Sequence, residues 1–409
     1  MRNLKWKKII EASEEGKYVE KLSEIAEVVA KEPKKSEGRI DLMGGKVGAA
    51  LFLFYYANYV KKETYYDQGM ELLNEVFDNI NEGALYHSFA GGLAGVGWTV
   101  DHLIKKDFID ADSDDLLSDL DDFLYKMMIS EIKEKNYDFL HGALGIGVYF
   151  LSRADKKKTK EYLSELIDWL EKISFEDKGG GLKWISVLNR DENIEGFNLS
   201  LSHGVSSIIA FLAKMIDAGV YKDKAATLLE GAVTFLLHQS LDTGKFFSNF
   251  PSWVADDPPV QSRLAWCYGD LGNAIALWHA SQSTGSKTWQ DKAVDVILHA
   301  AKRRDIKKNM VFDAGICHGG AGISHIFNRM YHYTGNKECK DTALYWYDQT
   351  LKFATYKDGF AGFKVWRTEE YGGWIKEYGL LEGVSGIGLA LISAISDIEP
   401  AWDRSLLIS

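Results

Sequence analysis

Proline and cysteine are scarce in this chain, with five prolines and three cysteines among 409 residues. So few prolines leave long stretches free to run as helix, because proline breaks the helical hydrogen-bond ladder wherever it falls inside one. Cys267, Cys317 and Cys339 are too few, and odd in number, for a disulfide framework. If they share a task, it is metal binding or thiol chemistry. Long hydrophobic runs are missing too: the longest, residues 47–57, falls well short of the roughly 20 that a membrane span needs. An excess of positive charge is also absent. The formal net charge of −11 gives no general attraction to nucleic acid or an anionic membrane, and leaves room only for a local basic patch. No basic-then-apolar leader pattern is visible at the start, so a cytoplasmic protein is expected.

What is present is helical periodicity. In residues 158–173, Leu163, Leu166, Ile167, Leu170 and Ile173 fall at i, i+3 and i+4 spacings between lysines and glutamates, which predicts a helix with one buried face. Segments of the same kind lie near 18–31, 64–80, 113–132, 223–240, 287–303 and 338–355. Others, such as those beginning at Val47 and Val205, are apolar nearly all round and predict helices buried on most sides. Glycines cluster just ahead of these apolar segments, around Gly45, Gly92, Gly142, Gly204, Gly269, Gly319 and Gly383. That recurrence marks seven repeats, each pairing one apolar with one amphipathic helix. Seven inner helices ringed by seven outer ones, an all-α toroid formed by residues 1–409 as one domain, is the simplest closed solution. The alternative is an open solenoid of helical hairpins.

The residue just ahead of the repeat glycine is polar in repeats three to seven: His141, His203, Tyr268, His318 and Glu382. Closure gathers these groups at one mouth, where helix N-termini also point their partial positive charge. Cys267 and Cys317 fall on the same turns. On a helix body, neighbours such as Cys317 and His318 diverge by about 100°, but on a turn just before the helix both can face one point. Two thiolates and an imidazole make a soft ligand set suited to zinc, and three ligands with an open fourth position is the catalytic pattern. A buried cysteine is otherwise a small hydrophobe. Cys339, at the start of an amphipathic segment, reads as a structural or surface thiol. Residues 241–262 hold Pro251, Pro258 and Pro259 with Phe246, Phe247, Phe250 and Trp253, and a loop this long is a candidate substrate rim. The stretches 176–200 and 356–381 could add to it or be surface decoration.

With Trp266-Cys267-Tyr268-Gly269, Cys317-His318-Gly319 and the seven glycine-led repeats, nearly the whole chain resembles the lanthionine synthetase C-like (LanC-like) cyclases. The resemblance implies a double-layered helical toroid holding one Zn2+ on Cys267, Cys317 and His318. It also implies catalytic roles for His203, in Ser202-His203-Gly204, for Asp138, four residues before Gly142, and for Arg263, four before Cys267. Isolated, Asp138 could equally be a helix cap, and His141 and His87 could be satisfied polar residues at helix starts. Where many members of that family carry proline after the first cysteine motif, this chain has Asp270, which is expected to alter the turn. The activity implied is Michael addition of a peptide cysteine to dehydroalanine or dehydrobutyrine, giving a thioether ring. A dehydrated precursor peptide is then the substrate, with a dehydratase and an exporter as candidate partners in a synthetase complex. In an alternative reading glutathione is the added thiol. Two further alternatives are a peptide-binding scaffold with structural zinc and a toroidal glycoside hydrolase using Glu382 and Asp270 as its carboxylates.

Overall fold

In the computed structural model, residues 5–35, 39–81, 83, 86–189, 194–254 and 259–409 are described, the side chain of residue 189 excepted. Pro258, in the long loop, lies outside them.

Among the described residues, seven helices form an inner ring: α2 (Lys46–Val60), α4 (Leu93–Lys105), α6 (Ala143–Ser152), α8 (Val205–Asp217), α10 (Asp270–Thr284), α12 (Gly320–Thr334) and α14 (Val384–Ile395). Every residue of α14 is buried, as its uniformly apolar sequence requires. The outer layer is α1 (Glu15–Val29), α3 (Glu63–Asn81), α5 (Ser113–Lys133), α7 (Lys157–Lys172), α9 (Lys222–His238), α11 (Lys287–Ala301) and α13 (Lys337–Lys352). These bury one stripe only; α7 buries Thr159, Leu163, Leu166, Ile167 and Leu170. Polar caps start several of them. Asp112 accepts the Asp114 N–H at 2.7 Å ahead of α5, and Asn336 accepts that of Glu338 at 2.9 Å ahead of α13. Each later outer helix packs on the inner helix before it, while α1 packs on α14 and α14 packs on α2, which closes the ring. The chain is thus an all-α toroid, not an open solenoid.

The turns that enter the inner helices are joined to one another. The Leu381 N–H donates to the Met43 carbonyl (2.8 Å), Met43 to Ala90 (3.3 Å) and Ala90 to Leu140 (2.8 Å). Continuing round, Leu201 donates to Cys267 (3.1 Å), Cys267 to Cys317 (3.3 Å) and Cys317 to Leu381 (2.9 Å). Six of seven joints in this belt are therefore backbone bonds. Among the described residues, no such bond links the third and fourth turns. There the Leu140 N–H turns instead to the Asp138 carboxylate, at 2.8 Å. The repeat glycines stand at close approaches within these turns. Gly142 has an extended backbone, so its need is space rather than positive φ, and a Cβ there would meet the Asn136 carbonyl oxygen at 2.5 Å.

Among the described residues, three small antiparallel sheets decorate the mouth-side connections, and the sequence pattern did not predict them. β1 (Phe175–Glu176) pairs with β2 (Leu182–Lys183). β3 (Ser186–Asn189), β4 (Ile194–Asn198) and β5 (Trp253–Val254) form a second sheet, which ties the long loop to the α7–α8 connection. β6 (Val365–Trp366) pairs with β7 (Trp374–Ile375). Beneath the mouth, a 3-10 helix, Ala401–Leu406, is almost wholly buried inside the ring. Its Asp403 meets His325 at 2.8 Å and Arg329 at 2.8 Å, both on α12. No helix among the described residues is long and apolar enough to cross a membrane.

Candidate metal centre and acid–base pair

Cys267 and Cys317 sit on adjacent turns of the belt, bonded backbone to backbone, so their thiols are brought together by the same contacts that close the ring. One ligand atom from each of Cys267, Cys317 and His318 lies within 4.8 Å of the other two. Among the described residues no fourth His, Cys, Asp or Glu joins this cluster. The hydrogen bond from the Cys317 thiol holds Cys267 well below the usual thiol range, against its burial, with His318 and Arg263 helping. Cys317, bonded to that thiolate and buried, is pushed well above it. Burial pulls His318 down, but its bond to Cys267 and the nearby Asp313 hold it above its ordinary value. The site thus concentrates negative charge on sulfur in a buried place, which a soft divalent cation would relieve by holding both thiols as thiolates. Asp313 ties this turn to its surroundings: it accepts the Gly315 N–H at 3.0 Å and the Trp366 N–H at 3.1 Å, and stands 3.8 Å from His318 Nε2.

Asp138 and His203 face each other across the open joint of the belt. His203 Nδ1 donates to Asp138 Oδ2 at 2.6 Å. A carboxylate can only accept, so the proton is on Nδ1 and Nε2 is the basic nitrogen. The other oxygen, Oδ1, accepts the N–H groups of Leu140 and His141 at 2.8 Å each. Burial alone would raise the Asp138 carboxyl, but His203 and the His141 N–H outweigh it and hold it below its usual value. Asp138 is therefore both a turn cap and an imidazole partner. The His141 ring is exposed and stacks 6.0 Å from His203.

Arg263 is half-buried; its terminal nitrogen donates to the Met310 carbonyl, and its charge lowers both thiols. His87 is bound to Glu131 at 2.6 Å, as a satisfied polar residue. Cys339 is buried, and burial raises its thiol to about 12, which fits a structural thiol. Asp270 is fully buried at the start of α10. It accepts N–H bonds from Asn249 (2.9 Å) and Phe250 (3.1 Å) and pairs with Arg303 at 3.0 Å. Glu382 pairs with Arg367 at 2.8 Å. The two carboxylates that a glycoside hydrolase would need are thus committed, and Asp270 is closed to solvent.

Two further groups stand here, the first already placed at the mouth by its sequence position. Tyr268 lies 5.9 Å from the His203 ring, and its hydroxyl accepts from Asn198 at 3.2 Å. Its place before a repeat glycine, shared with His203 and His318, was the available signal. Arg367 reaches the mouth from the β6–β7 hairpin, which no periodicity announced.

A model of the lanthionine synthetase C-like protein family matches residues 36–407. A solved structure of nisin cyclase superposes with a TM-score of 0.77 at 21% identity, covering 95% of this chain and 97% of that one. An α-1,6-mannanase from Salegentibacter sp. HEL1_6 is more distant, with a TM-score of 0.47 and 9% identity over 91% of this chain and 98% of that one.

Proposed function

Because the chain belongs to the lanthionine synthetase C-like family, we propose that it is a zinc-dependent cyclase. It would close thioether rings by adding a peptide cysteine to dehydroalanine or dehydrobutyrine. The observation that carries this reading is the Cys267–Cys317–His318 cluster on the same belt of turns as the Asp138–His203 pair. Bound there, Zn2+ would supply the Lewis acidity that keeps a substrate thiol deprotonated at neutral pH, where a free thiol (pKa about 8.5) is mostly protonated.

The chain's own residues then manage one proton. Sulfur attacks the β-carbon, the C=C electron pair moves toward the adjacent carbonyl, and the resulting enolate collects a proton at the α-carbon. His203 Nε2 takes up the thiol proton and returns it to that carbon, so atoms balance and the peptide's mass is unchanged. Asp138 keeps the imidazole in the required tautomer and stabilises its charged form. Arg263 puts a fixed positive charge beside the developing enolate.

The test is a dehydrated, cysteine-containing peptide incubated with the purified protein, followed by thiol alkylation and mass measurement. Loss of free thiol at constant mass supports the reading. Thiol loss only with added glutathione, with a matching mass gain, replaces it by the intermolecular reaction. No thiol loss across a broad peptide set removes it.

A further inference from the structure

The connection from α11 to α12 runs against the charge of the molecule. Residues 302–308 read Lys-Arg-Arg-Asp-Ile-Lys-Lys, in a chain whose net charge is −11. This is not a loose solvated run. Arg303 turns inward and donates to Asp270 at 3.0 Å, to the Ser262 carbonyl at 2.8 Å and to Asn309 at 2.8 Å. Asn309 in turn donates to the Asp305 carbonyl at 2.7 Å and accepts the Leu264 N–H at 3.3 Å. With the backbone so anchored, Lys302, Lys307 and Lys308 are exposed, and among the described residues none has a carboxylate within ion-pair distance. Arg304 differs, being paired with Glu338 at 3.8 Å.

Two exposed apolar side chains continue the same surface toward the mouth, Met310 (38% exposed) and Phe312 (39%). Met310 holds a left-handed backbone (φ 54°), which a non-glycine residue adopts at a cost. Its carbonyl receives the Arg263 guanidinium, and Phe312 leads directly into Asp313 and the Cys317 turn. The surface is therefore joined to the candidate site through the Met310–Arg263 bond and through the chain from Phe312 to Cys317.

We infer that residues 302–312 form a docking surface for an acidic, apolar-bearing stretch of the peptide whose reacting residues enter the mouth. The identity of that chain rests on the cyclase reading above. The net negative charge would repel an acidic peptide over the rest of the surface, so a local reversal of sign fixes where it lands and speeds its arrival.

The experiment measures binding, not turnover, so it stands or falls apart from the cyclisation test. A fluorescein-labelled synthetic peptide of Glu, Asp, Leu and Phe, with no cysteine or dehydrated residue, is titrated with the full chain by fluorescence anisotropy. A counterpart with Lys for every acid is the comparison. The acidic peptide should bind more tightly, and less so as salt rises. Lys302→Glu/Lys307→Glu/Lys308→Glu should weaken it by roughly three- to a hundredfold, the range that three exposed ion pairs together supply. Reversal of Lys61, Lys62 and Lys106, which line a separate surface groove, should not. Zinc content and helix content of the triple variant verify its fold, and Lys302→Gln/Lys307→Gln/Lys308→Gln repeats the test if charge reversal prevents folding. Unchanged binding by a folded variant, equal binding of the basic peptide, or stronger lysine-dependent binding to phosphatidylglycerol vesicles would each overturn the proposal.

Discussion

At the scale of single residues, the proposed function assigns metal binding and proton transfer to different side chains, and substitutions can separate them. Cys317→Ala removes one of the three proposed ligands, so zinc, expected at about one per chain, should be largely lost. Helix content should stay, because the apolar core lies in the helices rather than at the metal. Metal analysis with circular dichroism checks both; full zinc retention would remove Cys317 from the ligand set. His203→Asn should do the opposite, keeping zinc while cyclisation falls by about 10²–10⁴, the usual worth of a positioned acid–base group. Loss of zinc in that variant would make His203 a ligand. Retention of both zinc and rate would shift attention to His141, which stacks on it. Asp313 was not legible as a site residue because its partner, the Trp366 N–H, is distant in sequence. The cysteine and histidine motifs were legible because each is contiguous with its glycine.

At the scale of elements, the repeat glycines act on position rather than on conformational freedom. A Cβ at Gly269 would collide with the Arg263 carbonyl, and backbone there cannot move without moving Cys267, two residues away. Gly269→Ala should therefore cost about 1–3 kcal/mol of stability by overpacking and should weaken zinc retention as well. Thermal melting and metal competition against a chelator measure the two effects; unaltered metal affinity would mean that the turn absorbs the methyl. Amphipathic helices were readable within a few residues, as for 158–173 against α7, Lys157–Lys172, because burying one stripe imposes the period. The rim strands were not. With two to five residues each, they are too short to show alternation, and their pairing depends on where the toroid puts their partners. The hub around Asp270 was hidden for the same reason: Asn249, Arg303 and Asn309 meet only in the fold.

For the whole molecule, several histidines are wholly or partly folded away from water. Burial lowers His279, His299, His325 and His332 below their ordinary value, and His102 to about 3. A lowered histidine takes up its proton more readily when unfolded, so the folded state loses ground as pH falls below the unfolded value of about 6.5. His102 alone should cost roughly 2 kcal/mol at pH 5. Asp403, held well below the usual carboxylate range by Arg329 and His325 despite its burial, adds a second loss below about pH 4. Melting temperature should thus begin to drop between pH 7 and 5, before the carboxylates titrate; a flat profile there would contradict the buried, neutral state of these rings. The belt of turn-to-turn bonds has a consequence of another kind, in how the protein exchanges its amide hydrogens with solvent. Six joints follow one another along a single path that is open only between the third and fourth turns, so opening one strains its neighbours, and the amides of Met43, Ala90, Leu201, Cys267, Cys317 and Leu381 should exchange together, as one slow cooperative group. The Leu140 amide is held by a carboxylate instead, together with that of His141, so acidifying the solution until Asp138 protonates should release these two apart from the other six. Deuterium uptake there would then report, without any substrate, whether the acid–base pair is assembled.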